Sequence, residues 1–143
     1  MKVKIKKVHA DAIIPEYKTE GAAGCDVTAV EEVTIKPNES FLVRTGLSIE
    51  SPQGYFVMLA PRSSFVLKKH LDVPNSVGII DSDYRGEILM SLRNLGTEDA
   101  VIEKGERIGQ ILFIPVVQAD FEVVEELTET QRGAGGFGST GKF

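Results

Sequence analysis

The C-terminal residues combine charged, aromatic and hydroxyl side chains with a backbone that has little tendency to order by itself. Arg132 supplies a cation, Phe137 a flat ring, and Ser139 and Thr140 two adjacent hydroxyl groups. Five of the 14 glycines lie between residues 133 and 141, and glycine loses more backbone freedom on ordering than any other residue. The segment therefore predicts a flexible flap that orders over a nucleotide.

A second set of residues that could take part in catalysis or binding lies between two apolar stretches in the middle of the chain. Asp81 follows the stretch Gly78-Ile79-Ile80, and Tyr84 lies in the polar turn after it. One interpretation is a hairpin whose aspartates cap the turn. In the other, Asp81 is a general base, because a carboxylate at a rigid strand end can hold a water molecule within hydrogen-bond reach. Tyr84 is then a flat wall for a ring.

Two further segments carry groups that suit phosphate. Arg62, Ser63 and Ser64 open a predicted helix, whose free N–H groups, hydroxyls and arginine match an anion. The alternative is a capped helix with an exposed arginine. Gln110 lies among apolar residues of a predicted strand, where its amide either donates to phosphate or pairs with backbone at the edge of the core.

Asp26 lies in the otherwise small and apolar segment 21–29. A carboxylate in such surroundings has to be paired, hydrogen-bonded or near a cation. It either caps the backbone at the start of a strand or anchors Mg²⁺ through a water molecule. Its neighbour Cys25 is interpreted as a small buried hydrophobic residue.

The composition limits the classes of protein to which the chain belongs. Its 143 residues fit one domain with a sizeable core. The net charge of −5 argues against nonspecific binding to nucleic acid or to an anionic membrane, and no apolar run reaches the roughly 18 residues of a membrane span. A single cysteine favours an intracellular, cytoplasmic location. With two histidines and one cysteine, a hard cation held by oxygen or phosphate is more plausible than a transition metal.

Short apolar or alternating runs, separated by turn-forming residues, predict strands along most of the chain. The predicted strands are residues 3–9, 25–28, 33–35, 41–44, 47–49, 55–60, 77–81, 87–94, 100–102, 108–115 and 121–125. One short helix is expected at 65–70, capped by Ser63 or Ser64. This spacing predicts a mostly β fold, either a sandwich, a jelly roll or a closed barrel. We expect a body at 1–125 and a glycine-rich arm at 126–143, which reaches a neighbouring subunit as easily as its own.

These segments, in this order, resemble the trimeric deoxyuridine triphosphatase (dUTPase) family. The matching stretches are residues 23–29, 61–64, 78–86, 107–110 and 132–141. Each is a weak match alone, whereas all five together extend over nearly the whole chain. The resemblance implies a distorted jelly-roll or β-barrel catalytic domain with one short helix. It also implies a homotrimer whose C-terminal arms are exchanged between subunits and whose three active sites lie between them.

The implied activity is hydrolysis of dUTP to dUMP and pyrophosphate with Mg²⁺, a step of nucleotide metabolism that limits uracil in DNA. Asp81 would orient and deprotonate the water that attacks the α-phosphorus. Tyr84 would pack against deoxyribose and leave no space for a 2′-hydroxyl. Asn75 would read the uracil edge together with backbone groups of Gly78 and Ile80.

The resemblance assigns the rest of substrate binding, mostly to the phosphate chain, to two sets of residues. The first set lies in the body and consists of Arg62, Ser63, Ser64 and Gln110. The second set lies in the arm and consists of Arg132, Phe137, Gly138, Ser139 and Thr140. Phe137 would stack on uracil while Arg132, Ser139 and Thr140 close on the phosphates, and Asp26 would contact Mg²⁺ through water.

One position departs from the family pattern. The family more often has glycine where Ser64 stands, and a serine there is similar to the related dCTP deaminases, which share the fold. Residues 81–84 favour the dUTPase side, because the deaminases usually carry Pro-Gly and a different aromatic residue there. The alternatives are therefore a dCTP deaminase-like enzyme and a noncatalytic nucleotide sensor on the same scaffold.

Overall fold

Strands account for nearly all the regular structure of residues 1–136, which are the residues that the computed structural model describes. The strands are β1 (Lys4–Lys7), β2 (Cys25–Thr28), β3 (Val33–Ile35), β4 (Ser40–Arg44), β5 (Leu47–Glu50), β6 (Tyr55–Pro61), β7 (Leu71–Asp72), β8 (Gly78–Ile80), β9 (Leu89–Asn94), β10 (Ala100–Ile102) and β11 (Arg107–Pro115). The helix α1 covers Ser63–Lys69. This mostly β architecture with a short helix confirms the predicted fold class.

The longest strand, β11, lies inside the sheet that positions most of the candidate residues. It pairs antiparallel with β2 on one side and with β6 on the other, and β6 in turn pairs with β8. The remaining strands form a three-stranded sheet in the order β4-β9-β7 and the pairs β1-β5 and β10-β3. Neighbouring strands lie about 4.8 Å apart, so this sheet brings together segments that are remote in sequence.

Alternating apolar side chains build the core between the sheets. Val57 and Leu59 of β6 are buried, as are Met90 and Leu92 of β9. Successive side chains of a strand point to opposite faces, so alternate residues reach the core. Burying each such side chain contributes roughly 1.5–3 kcal/mol relative to leaving it exposed. Cys25 is a free thiol in this core, which confirms its interpretation as a buried residue.

The start of α1 differs from the prediction. The residue at its N-terminal boundary is Arg62, which is extended (φ −83°, ψ 137°) and makes no side-chain capping hydrogen bond. The prediction that Ser63 or Ser64 caps the helix is therefore wrong, because the backbone turns one residue earlier. At the other end His70 adopts a left-handed conformation (φ 54°), and its N–H donates to the carbonyl of Phe65. Within residues 1–136, no helix has the length and apolar character needed to cross a membrane.

The hairpin interpretation of residues 78–88 is also wrong. β8 pairs with β6, whereas β9 pairs with β4 and β7. The two apolar stretches that flank Asp81 therefore belong to different sheets, and the polar turn between them crosses from one sheet to the other. A short apolar run does not say which strand it pairs with, and here the core decided the pairing. The two-residue strand β7 was not predicted at all.

The chain after β11 contains no helix or strand up to residue 136. The predicted strand at 121–125 is therefore wrong for the single chain, since a strand needs a neighbour for its backbone groups. In this segment Phe121 is 89% exposed and Val123 98%, whereas Val124 is 49% exposed; outside it, Val117 and Leu127 are exposed by 93% and 86%. The predicted boundary between body and arm at residue 125 stays a prediction, although the last strand ends at Pro115.

Candidate active site

A cleft beside β8 collects five of the candidate residues. It has a volume of about 240 Å³. These five residues are Asn75, Gly78, Ile80, Asp81 and Tyr84. We call the cavity formed by them and by the walls named next the β8 cleft. The other walls are Leu59, Ile79, Glu87, Ile88 and Leu89. The cleft therefore combines a carboxylate, an aromatic ring, an amide and backbone groups on an apolar floor.

A wider depression of about 840 Å³ adjoins the β8 cleft. The two share Ile79 and Asp81. Of the candidate residues, the wider depression contains only Asp81. The grouping of candidate side chains, rather than size, makes the β8 cleft the candidate active site.

Close packing of β8 on β6 forms the floor of the β8 cleft. Gly78 pairs with Leu59, and a Cβ atom added at Gly78 would lie 3.1 Å from the Leu59 Cβ. The turn before β8 is equally tight, because the Ser76 N–H donates to the Val73 carbonyl at 2.8 Å and Ser76 has a φ of 65°. This turn presents Asn75 at the mouth of the cleft.

The turn after β8 places the other two polar residues. The Tyr84 N–H donates to the Asp81 carbonyl at 3.2 Å. The Arg85 guanidinium closes the turn from outside, donating to the carbonyl of Ser82 at 2.7 Å and to that of Tyr84 at 3.0 Å. The side chains of Asp81 and Tyr84 both face the cleft and are exposed. An exposed carboxylate at a strand end is able to accept a hydrogen bond from water, as general-base chemistry requires.

Glu87 fastens this turn to the rest of the body, a role that the sequence analysis missed. Its carboxylate accepts hydrogen bonds from the Arg44 guanidinium at 3.0–3.2 Å and from the Gly46 N–H at 2.8 Å. The hydrogen bond and charge of Glu87 raise the pKa of Arg44. The next residue, Ile88, donates its N–H to the Leu47 carbonyl at 2.7 Å. Since Arg44 precedes Glu87 by 43 residues, only the fold reveals this contact.

A charged cluster lies toward the opposite edge of the same sheet from β8, where β2, β11 and the end of β6 meet. One carboxylate oxygen of Asp26 lies 3.3 Å from Arg62 Nε, and the other lies 3.1 Å from Arg107 Nη1. Gln110 pairs with Asp26 across the strands. We call these four residues the Asp26 cluster. The pairing satisfies the requirement that a carboxylate in apolar surroundings be compensated, and Arg107 is a cation to which the sequence analysis gave no role.

The residues of the Asp26 cluster are compatible with Mg²⁺ only if the ion is held mainly by substrate phosphates. Both oxygens of Asp26 face an arginine, and among residues 1–136 no group of three or more His, Cys, Asp or Glu side chains is placed to hold a metal ion. Mg²⁺ usually keeps several water ligands and binds through one or two carboxylates and substrate phosphates. The residues therefore fit a cation that arrives on the phosphates and do not fit a cage made of protein.

Asp81 of the β8 cleft and Arg62 of the Asp26 cluster lie at different ends of β6. The register of β8 on β6, continued by one residue, places Asp81 opposite Phe56, while Arg62 follows the last residue of β6. Positions 56 and 62 are six residue steps apart, which is about 20 Å at about 3.3 Å per residue of extended chain. Ser63 and Ser64 begin α1 directly after Arg62 and share its location. A single chain thus holds Asp81 and Arg62 apart.

The arm residues do not reach the β8 cleft in the part of the chain that the structure describes. Arg132 Nε donates to the Gly135 carbonyl at 2.9 Å within its own turn. Four other candidates, Phe137, Gly138, Ser139 and Thr140, lie outside the described residues. The roles of all five arm residues therefore stay predictions.

The sequence and the fold of the chain are similar to those of known dUTPases. The family model for dUTPase matches residues 10–141. A deoxyuridine 5'-triphosphate nucleotidohydrolase of Nautilia profundicola is 53% identical over 142 residues, which are 99% of this chain and 100% of the relative. A second enzyme of that name, from a Hydrogenobaculum species, is 49% identical over 99% of both chains.

Among solved structures, a mutant dUTPase of Staphylococcus bacteriophage 80alpha with dUpNHpp superposes with a TM-score of 0.92. It is 27% identical and the match covers 98% of both chains. The fold, the order of the segments and the full-length relatives agree, and the chain belongs to the dUTPase family.

Proposed function

We propose that this chain hydrolyses dUTP to dUMP and pyrophosphate, with Asp81 as the general base. The observation that supports this most directly is the β8 cleft, in which Asp81, Tyr84 and Asn75 lie together in a chain of the dUTPase family. The relatives from Nautilia profundicola and Hydrogenobaculum carry this activity in their names and match over the whole length of the chain.

The β8 cleft selects the nucleoside. Its volume of about 240 Å³ suits a base and a sugar but not a whole triphosphate. Asn75 and the backbone of Gly78 and Ile80 bind the uracil edge, and a site built to hydrogen-bond one base edge leaves its own groups unpaired with another base. The Tyr84 ring packs on the deoxyribose, where a 2′-hydroxyl has no space.

Asp81 performs the chemical step. Its carboxylate orients a water molecule toward the α-phosphorus and takes one proton from it. The water oxygen bonds to the α-phosphorus as the bond between that phosphorus and its bridging oxygen breaks, and pyrophosphate leaves with the bonding pair. The protein contributes mainly position and charge compensation, as is usual in phosphoryl transfer.

Charge compensation comes from the Asp26 cluster, the hydroxyls of Ser63 and Ser64, and Arg132 of the arm. In a chain of net charge −5, two arginines that share one carboxylate provide a local excess of one positive charge. Mg²⁺ on the substrate neutralises phosphate oxygens when bound. A contact of Asp26 with that ion runs through water and is secondary to its hold on the two arginines.

A complete site combines two copies of the chain in a homotrimer. The base binds near Gly78 and the α-phosphorus lies near Asp81, so the phosphate chain points away from the same chain's Arg62, about 20 Å along the strand. A second copy supplies the cluster that meets the phosphates. Residues 116–127, with their exposed apolar side chains, gain a strand partner when the arm crosses to a neighbour.

Mixing two inactive variants tests this sharing. Asp81→Asn and Arg62→Ala are each unfolded, refolded together in equal amounts and assayed for dUTP hydrolysis. If each site takes Asp81 from one copy and Arg62 from another, random mixing restores about a quarter of the wild-type sites. No recovery in a mixture that forms trimers places both residues in the same chain.

A product assay across dUTP, dTTP, dCTP and UTP with Mg²⁺ tests the activity itself. We expect dUMP and pyrophosphate from dUTP, with the other nucleotides left largely intact. Ammonia released from dCTP with dUTP unchanged assigns the chain to the deaminases instead. Tight binding without turnover indicates a nucleotide sensor. We also propose a cytoplasmic location, which the single, free and buried cysteine favours.

A further inference from the structure

We propose that Gly86 is a positioning residue for Tyr84, and that the contact between them sets the discrimination between deoxyribose and ribose. The inference rests on the proposed function, in which Tyr84 is the wall against the sugar. It adds a residue that touches no substrate and acts only through the tyrosine ring.

The Tyr84 ring lies directly over Gly86. A Cβ atom added at Gly86 would lie 2.2 Å from Tyr84 Oη, 2.4 Å from Cζ and 2.9 Å from Cε2. Nonbonded carbons make contact at about 3.5–4.0 Å, so any side chain at this position displaces the ring. The absence of a side chain is what lets the ring occupy its place.

Backbone strain does not explain the glycine. The described glycines with positive φ are Gly46, Gly54, Gly105 and Gly133. Gly86 is outside that group, so alanine is compatible with its backbone conformation. The demand for glycine at position 86 therefore comes from the ring of Tyr84.

The contact cannot relax through the backbone, because both neighbours of Gly86 are held. The Arg85 carbonyl accepts a hydrogen bond from the Ser48 hydroxyl at 2.8 Å. Glu87 is fastened by Arg44 and by the Gly46 N–H. A methyl group at position 86 consequently pushes the flexible partner, the Tyr84 side chain.

A displaced ring changes the sugar end of the β8 cleft. In the structure the Tyr84 hydroxyl donates to the Glu87 carbonyl at 3.1 Å, which holds the ring over the turn. When the ring leaves, this hydrogen bond is lost and the wall opens. Space for a 2′-hydroxyl then appears, while the uracil contacts at Asn75 and Gly78 stay in place.

The test compares Gly86→Ala with Gly21→Ala as the matched control. A Cβ atom at Gly21 meets nothing within 4 Å, and Gly21 has no positive φ. Steady-state kcat/KM is measured for dUTP and UTP in both variants and in the wild type. We expect Gly86→Ala to lower the preference for dUTP over UTP about tenfold, within the range by which a pocket rejects an added hydroxyl. Gly21→Ala leaves the preference unchanged.

A double-variant cycle separates positioning from general damage. Adding Gly86→Ala to Tyr84→Ala removes no further discrimination, because the clashing ring is already absent. An equal additional loss in that background overturns the proposal. An unchanged preference in Gly86→Ala also overturns the proposal when the wild type prefers dUTP. A wild type that does not turn over dUTP refutes the proposed function instead.

A readout besides activity follows the ring itself. The chain has three tyrosines, so a 3-fluorotyrosine-labelled protein gives three ¹⁹F signals, and Tyr84→Phe assigns one of them. Gly86→Ala shifts the Tyr84 signal and leaves the other two in place if the body remains folded. An unmoved Tyr84 signal overturns the proposal.

Discussion

The β8 cleft and the Asp26 cluster hold their residues in place by different means. The cleft is built from residues close in sequence, between 75 and 89 except for Leu59, and backbone hydrogen bonds and close glycine contacts fix its shape. The cluster joins residues from three segments, β2, β11 and the residue after β6, and ion pairs of Asp26 with two arginines, one of them also a hydrogen bond, hold its charged members together. Shape suits the recognition of a neutral base and sugar, whereas charge suits a phosphate chain.

The two regions also differ in how strongly water weakens them. Asp26 has 19% of its side chain exposed, but its partners Arg62 and Arg107 have 28% and 49% exposed. Solvent and salt screen such pairs, and each arginine has further N–H groups that can bind phosphate oxygens while Asp26 holds it. The backbone hydrogen bonds of the β8 cleft join neutral groups and are screened less. Variants of each region should therefore affect different kinetic constants.

The largest effect is expected at the chemical end of the β8 cleft. Asp81→Asn keeps the size of the side chain but removes the base, so kcat should fall by roughly 10²–10⁴-fold while nucleotide binding is retained. Single-turnover hydrolysis and calorimetric titration with dUpNHpp measure the two quantities. Unchanged turnover removes Asp81 from the role of base.

Removal of the arm should have the next largest effect. A chain that ends at residue 131 lacks Arg132 and the candidate residues after it, so we expect kcat to fall about 100-fold, comparable to the loss of one transition-state donor. The melting temperature should not change, because the last strand ends at Pro115. A fully active truncated chain shows that the β8 cleft and the Asp26 cluster are sufficient without the arm.

A smaller effect is expected in the Asp26 cluster. Asp26→Asn leaves Arg62 and Arg107 without their shared counter-charge, so they lose their orientation and KM for dUTP should rise several-fold. The Mg²⁺ concentration for half-maximal activity should change less than KM. The reverse result, a large change in the Mg²⁺ requirement at constant KM, makes Asp26 primarily a metal anchor.

The pair of Asp11 and Lys104, 2.8 Å apart and outside both regions, provides the control. The hydrogen bond and charge of Lys104 lower the pKa of Asp11 below 3.8. A carboxylate whose pKa is lowered by folding adds stability above its unfolded pKa and loses it as the pH falls through the folded value. Because the pair lies outside both regions, Asp11→Asn should leave activity unchanged. Urea unfolding should show a small loss of stability in this variant only above about pH 4.

Different parts of the two regions were predictable. The residues of the β8 cleft are neighbours in sequence, so a polar turn after an apolar stretch was enough to place Asp81, Tyr84 and Gly78 together. The wrong hairpin came from the same stretch, because two apolar runs do not reveal that they enter different sheets. The apolar neighbours of Asp26 showed that its carboxylate needs compensation, but neither Arg62 nor Arg107 was identified as its partner.

At residues 121–125 the sequence pattern predicts a strand that the folded single chain does not form. The alternation of Phe121 and Val123 with polar residues is a sound strand pattern, yet these side chains stay exposed in the single chain. Backbone groups form a strand only against a partner, and residues 1–136 of the same chain provide none for this segment.

The amino-acid sequence by itself determined the mostly β class, the short helix, the candidate residues and the order of five segments typical of one family. These features depend on local periodicity and residue chemistry, which can be read along the chain. Only the tertiary structure decided that Glu87 anchors the turn through Arg44, that Asp26 joins two arginines, and that Asp81 and Arg62 lie at different ends of β6. Such contacts join residues that are tens of positions apart, and which of the many charged or apolar residues meet is settled by how the strands pair around one core.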